Sequence, residues 1–231
     1  LLGVALALAF IEDVKEDHPG RFDLTGFVLS ALGFCGFVFG LSLLGGHFVS
    51  AWTNAAIFLG GCLFLALYVF HARRVDNPVL DLTLVRVQTF NVAITGGFIF
   101  RVCNGAVPFL MPLLFQVGFG MSPIESGLTT FVGGIGATCM KFSAPPILRH
   151  AGFRRTLMIN GIVVALSYAV IALFTSATPH WIIIGVLLTS GFFRSLQFTA
   201  TNGLAFADIE PQRMSRATTL NAAIQQAAAS S

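Results

Sequence analysis

Residues 91–115 read NVAITGGFIFRVCNGAVPFLMPLLF. About 20 mostly apolar residues are enough to cross a bilayer as a helix, and this stretch is longer than that. Yet it carries Arg101, which lies about 15 Å below the surface if the helix is entered at Asn91 and rises 1.5 Å per residue. A charged side chain at that depth costs from a few kcal/mol upward, so it faces a water-filled path, a substrate or a polar partner rather than lipid. The segment therefore reads as a membrane helix that does work.

Working outward, five further stretches have the length and composition of complete spans: Leu24–Gly45, Thr53–Phe70, Gly127–Leu148, Thr156–Phe174 and Trp181–Ala205. Leu1–Ile11 reads as the tail of an earlier span and Ala217–Ser231 as the start of a later one. The expectation is an all-α polytopic membrane protein with six full spans and two partial ones, cut from a longer chain.

The basic residues test that count independently. Connections 12–23, 71–90, 149–155 and 206–216 hold Lys15 and Arg21; Arg73, Arg74 and Arg86; Arg149, Arg154 and Arg155; and Arg213 and Arg216. The intervening connections 46–52, 116–126 and 175–180 hold no Lys or Arg. This alternation assigns the basic set to the cytoplasm, and one missed or invented helix would break it. Connection 71–90 is longer and contains a short amphipathic run through Val79, Leu80, Leu82, Leu84 and Val85. That run suits a segment lying along the cytoplasmic surface, or an ordinary loop.

Composition excludes other classes. The chain is 55% hydrophobic and 10% charged, where a soluble domain carries about 25% charged residues. Its cations are too dispersed for a nucleic-acid-binding face. Cys35, Cys62, Cys103 and Cys139 fall in apolar stretches without paired spacing and read as small buried hydrophobes. The five histidines form no metal motif, and the spans offer no catalytic constellation of carboxylates, His or Ser with a base. Neither an enzyme nor a cofactor is expected. A channel would call for charged rings or backbone filters, and none is visible.

Three cations lie inside spans. Arg101 shares a helix stripe with Gly97, Asn104 and Pro108, and Pro108 and Pro112 each remove a backbone donor, which favours a hinge. Arg194 sits in SGFFRSLQFTATNG, where Arg194, Gln197 and Thr201 run beside Ser195, Thr199 and Asn202. So wide a polar face lines an aqueous cavity or packs on a polar partner. For Arg101 the structural alternative is satisfaction by carbonyls of neighbouring helices. Lys141 lies nearer the cytoplasmic end of its span, from which its stem can snorkel. No acidic residue lies within a complete span; Asp23 is at an entrance and Glu125 in an outer connection. Gly36 and Gly40 form a small-xxx-small spacing of the kind that brings helices together.

FRVCNGAVPFLMPLLFQVGFGMSPIESGL, followed by KFSAPPILRHAGFRRTLMING and FFRSLQFTATNGLAFADI, resembles the EmrB/QacA-type drug:proton antiporters, fourteen-span members of the major facilitator superfamily, and within them the MdtD-like branch. The resemblance covers essentially the whole chain. It implies that residues 24–70 are an extra helix pair between two six-helix halves, that 71–90 is a cytoplasmic connection, and that 91–231 begins the C-terminal half. In that fold the first and fourth helices of each half line the central cavity, and those are the helices carrying Arg101 and Arg194. Arg149 stands where the family's basic loop often has an acidic residue.

The resemblance implies a multi-pass secondary transporter of the inner membrane, monomeric when complete. It would export a small molecule in exchange for protons by alternating access, driven by the proton gradient. Arg101 and Arg194, with Asn104, Gln197, Thr199 and Asn202 and with Lys141 as a further candidate, are the expected substrate-binding residues, and Pro108 and Pro112 the hinge. Unpaired membrane cations point to an anionic substrate, because Arg can hold a carboxylate bidentately. The alternative is an inactive remnant or a non-transporting scaffold, since both ends fall inside apolar runs.

Overall fold

The computed structural model describes residues 23–43, 50–75 and 78–229. The expected partial span Leu1–Ile11 and the cations Lys15 and Arg21 lie outside them. Among the described residues the chain is helical, with no strand. The helices are α1 (Leu24–Leu43), α2 (Ala51–Ala72), α3 (Gln88–Gly105), α4 (Val107–Leu113), α5 (Pro123–Ala172), α6 (His180–Phe206) and α7 (Met214–Ala229). Large apolar side chains cover the outside, with Trp52 87% and Phe142 82% exposed. That inverts the pattern of a soluble protein and leaves those side chains for lipid or for further helices.

Sequence signals account for three of the helix starts. Ser50 caps α2 by accepting from Thr53 N at 3.2 Å. Ser122, Pro123 and Glu125 start α5 with a capping box, in which each end residue accepts from the other's backbone N–H. Asp23 starts α1 by accepting from Gly26 N at 2.8 Å, and the same oxygen lies 2.8 Å from His71 Nε2, joining the start of α1 to the end of α2.

A straight helix of 50 residues would be about 75 Å long, more than twice the hydrocarbon thickness. α5 is not straight. Gly152 has φ 69° and ψ 164°, a conformation essentially confined to glycine, and the chain reverses there. Before it, Gly133 and Ala137 face Gly191 and Ser195, so residues 123–151 run parallel to α6. After it, Phe153 faces Gly203 and Asn160 faces Gln197, so residues 153–172 run antiparallel to α6. α5 thus supplies two crossings. The seven-residue connection expected at 149–155 contracts to one glycine flanked by helix, because a single residue free to adopt that backbone is enough for the turn.

The stretch 91–115 also differs from expectation. α3 begins earlier, at Gln88, and the helix is interrupted at Ala106 and resumes as α4. Past Pro112 it loosens into a wider turn, Leu114–Gly118, closed by Phe119 N donating to Leu114 O at 3.1 Å. The interruption falls before Pro108, whose ring nitrogen cannot donate back to the preceding turn.

Glycine sets how closely the helices approach. An ideal Cβ at Gly136 would lie 2.0 Å from Leu188 O, and one at Gly191 would lie 2.0 Å from Gly133 O. α1 and α2 meet in the same way, where a Cβ on Gly61 would lie 2.3 Å from Phe37 N. The Gly36 and Gly40 spacing noted in the sequence lies on this contact. The cysteines depart from expectation: Cys35, Cys103 and Cys139 are exposed and Cys62 is half-buried, all as free thiols. Cys35, Cys103 and Cys139 thus contribute to the outer apolar surface instead of filling a core.

Connection 71–90 neither lies flat nor hangs as an open loop. Leu84 is fully buried and Leu80 nearly so, packed with Tyr68, Phe90, Ile209 and Leu220 across the basic ends of α2, α3, α6 and α7. Tyr68 Oη donates to Leu80 O at 2.9 Å and accepts from Leu80 N at 2.7 Å. Asp81 caps the following short turn Leu82–Arg86 and accepts from Arg213 Nη2 at 2.6 Å. Burial pushes the Asp81 carboxyl up, but hydrogen bonds from Thr83 and Arg213 outweigh it and hold the group below its ordinary 3.8.

Two outcomes follow for thermal unfolding of the purified protein in detergent. Gly136→Ala and Gly191→Ala should each destabilise by about 1–3 kcal/mol through overpacking. Gly134→Ala, where a Cβ meets nothing within 4 Å, should be neutral or stabilise by about 0.5–1 kcal/mol. Asp81 is ionised more readily when folded than when unfolded, so its contribution is complete above its ordinary value of 3.8 and is lost as pH falls through the lowered value. Asp81→Asn should cost roughly 1–2 kcal/mol at neutral pH and flatten the acid limb of the melting temperature; an unchanged acid limb would show that the pair contributes nothing.

Candidate functional site

The two buried-span arginines are brought to one cavity. α3 and α6 pack side by side, with Gly97 facing Thr201; a Cβ on Gly97 would lie 3.0 Å from Thr201 Cγ2 and 3.2 Å from Arg101 Nη1. The missing side chain is the space across which the Arg101 guanidinium lies. Its Nη2 donates to Asn202 Oδ1 at 3.1 Å, and its carbon sits 5.2 Å from the centroid of the Phe198 ring. Phe198 is in turn edge-on to Phe100 at 5.0 Å. Asn202 Oδ1 also accepts from Gln225 Nε2 of α7 at 3.3 Å. Arg101 is thus held by an amide oxygen and an aromatic face, both neutral, which compensate part of the cost of its burial.

A cavity of about 740 Å³ opens beside this cluster, lined by Arg101, Asn104, Pro108, Arg194, Ser195, Phe198 and Gln225 among others. A smaller pocket of about 230 Å³ lies further towards the end whose connections lack Lys and Arg, lined by Pro108, Met111, Pro112, Thr130, Tyr168 and Ser190 with Arg194. Arg194 and Pro108 border both spaces. Ser195 donates to Ala137 O at 3.1 Å, which fixes that turn of α6 against α5 and aims Arg194 between the two spaces.

The other residues singled out in the sequence divide. Asn104 is buried, lines the larger cavity and donates to Phe100 O at 2.8 Å. Asn202 reaches the site through its bond to Arg101. Gln197 turns the other way and accepts from Asn160 Nδ2 at 2.7 Å, which ties α6 to the second half of α5. Thr199 and Lys141 are exposed on the helix surface and border neither cavity. The polar face of α6 is therefore split. One edge lines the cavity, and the other accepts from the amide nitrogen of Asn160, itself 3% exposed, in the interior. Successive residues advance about 100° around a helix, so a stripe that broad cannot all face one space.

Several site residues carried no mark in the sequence reading. Phe198 and Gln225 line the large cavity and Tyr168 the small one. A signal existed for two of them: Tyr168 is one of only two tyrosines in the chain, and Gln225 and Gln226 are adjacent amides in an apolar run. Among the described residues, no group of three or more His, Cys, Asp or Glu is placed to hold a metal.

Residues 21–231 match the model of the Major Facilitator Superfamily. The chain is 32% identical over 209 residues to MdtD proteins, provisionally named for multidrug resistance, of Salmonella paratyphi A and Salmonella typhimurium. The aligned region covers 89% of this chain and 44% of each relative, so the chain spans under half the length of those proteins. The chain belongs to the Major Facilitator Superfamily.

Proposed function

We propose that the protein containing this chain is a secondary transporter that exports small organic anions across the inner membrane in exchange for protons, by alternating access. The basic connections face the cytoplasm in this reading. Residues 24–70 form the pair inserted between two six-helix halves, and 91–231 begin the C-terminal half. The observation that carries the reading is that Arg101 and Arg194, on neighbouring helices, open to one cavity of about 740 Å³. An uncompensated charge in the membrane interior costs about 2.5–3.5 kcal/mol even on the most lenient scale. Arg101 meets that cost in part with Asn202 and Phe198.

A carboxylate entering the cavity supplies what the neutral partners lack. It can accept two parallel N–H bonds from one guanidinium, in a site drier than bulk water where charge-assisted bonds count for more. Asn104 and Gln225 offer amide contacts beside it, and Phe198 an apolar wall. The interruption at Ala106 and the prolines 108 and 112 lie at the cavity edge, where the helix can bend without breaking a complete hydrogen-bond ladder. Proton coupling is assigned to the protein as a whole, with the proton gradient as its energy source and no cofactor. The complete transporter functions as a monomer.

The test uses the full-length protein in inverted membrane vesicles energised to accumulate a labelled carboxylate such as benzoate. Arg101→Ala with Arg194→Ala should lower accumulation at least about tenfold, the loss of one charge-assisted interaction or more. Each single change should lower it less, and a protonophore should abolish it in the parent. Undiminished accumulation by the double variant would overturn the anionic reading.

A further inference from the structure

The wall between the two cavities contains a residue with no role in the reading above. Tyr168 lies on the second half of α5 and lines the smaller pocket with Arg194. Its hydroxyl donates to Asn104 Oδ1 on α3, and the Arg194 side chain of α6 lines the same pocket. The second half of α5 is thereby joined to α3 at one oxygen, beside Arg194 of α6. We infer that the Tyr168 hydroxyl is the bolt of a partition that closes the central cavity towards the outer pocket.

The position of Asn104 makes the bond consequential. Asn104 is 7% exposed and sits one residue before the end of α3 at Gly105, immediately ahead of the interruption at Ala106. α4, beyond the interruption, supplies Pro108, Met111 and Pro112 to the outer pocket. Any swing of α4 that widens the outer pocket pivots next to Asn104, and Tyr168 holds that pivot to α5. Arg194, bordering both spaces, occupies the opening that such a swing would clear. Tyr168 is thus a positioning residue: it acts through Asn104 and Arg194 and does not itself border the larger cavity among the residues that line it. The inference takes its meaning from the alternating-access reading, but it does not depend on the substrate being an anion.

The experiment is carried out on the full-length protein in sealed cells, with its other cysteines replaced and Ala222→Cys introduced in the central cavity, which Ala222 lines. A membrane-impermeant maleimide added from outside reports whether the cavity is open to that side. Tyr168→Phe, which keeps the ring and removes the hydroxyl, should raise the labelling rate about tenfold, the population shift expected when one hydrogen bond is lost from the closed state. Asn104→Leu should raise it similarly and carries the test if Tyr168→Phe fails to fold. Equal labelling by a permeant maleimide in parent and variant shows that both are folded alike. A purely structural role would lower thermal stability without changing the side from which the thiol is reached, and labelling at the parent rate in both variants would overturn the partition. A rise in labelling supports it even where no export is measured, so its failure and that of the transport reading are separable.

Discussion

The backbones of α5 and α6 touch where Gly133 meets Gly191 and Gly136 meets Leu188, and the site depends on that approach. Lipid provides no hydrophobic force to drive helices together, so close packing of backbone against backbone has to supply it. With no side chain in the way, Ser195 reaches Ala137 O and Arg194, one residue before it, is held at the junction of the two cavities. A helix pair spaced by leucines would stand about 8–10 Å apart and would leave Arg194 loose in a wider gap. The glycines here serve position: they determine where a charge can sit.

The two arginines occupy unlike settings despite their similar sequence surroundings. Arg101 is fixed by Asn202, Phe198 and the space at Gly97, and each of these neighbours is neutral. Arg194 stands at the border of two spaces with Tyr168 beside it. Neither forms a salt bridge with a carboxylate among the described residues. Away from the cavity the chemistry changes character: Asp81 pairs with Arg213, and Asp23 bonds His71, at the basic end. Charge is neutralised where the protein is bound together and left partly open where it lines a cavity.

Much of this was legible in the sequence because membrane insertion imposes constraints that act locally. The alternation of basic and neutral connections yields the order of the crossings, and even the reversal inside α5 is anticipated by Arg149, Arg154 and Arg155 around Gly152. The arrival of Arg101 and Arg194 at one cavity followed from periodicity and family resemblance together. What was not legible depends on rotation and partners. Gln197 belongs with Asn160 because of the angle at which the second half of α5 packs, and no property of Gln197 itself announces it. Tyr168 is marked in the sequence only by the rarity of tyrosine, which does not say that its hydroxyl meets Asn104. Connection 71–90 was ambiguous because its apolar residues could face lipid or protein, and only the presence of α6 and α7 beneath it makes the second choice better.

The interruption of α3 at Ala106 shows why cavity and helix break fall together. A continuous helix satisfies its own backbone, and within a membrane any break must be made good by protein or water. A break on the lipid side would leave carbonyls unpaired in hydrocarbon, so it is tolerable only beside a polar space. Arg101, Asn104 and the large cavity provide that space, and Pro108 makes the break unavoidable by removing a donor. The polar side chains that line the cavity are therefore also what allow the helix to be broken there. Moving the break elsewhere along the span would need a second polar site to support it, and among the described residues α3 and α4 carry their charged group only here.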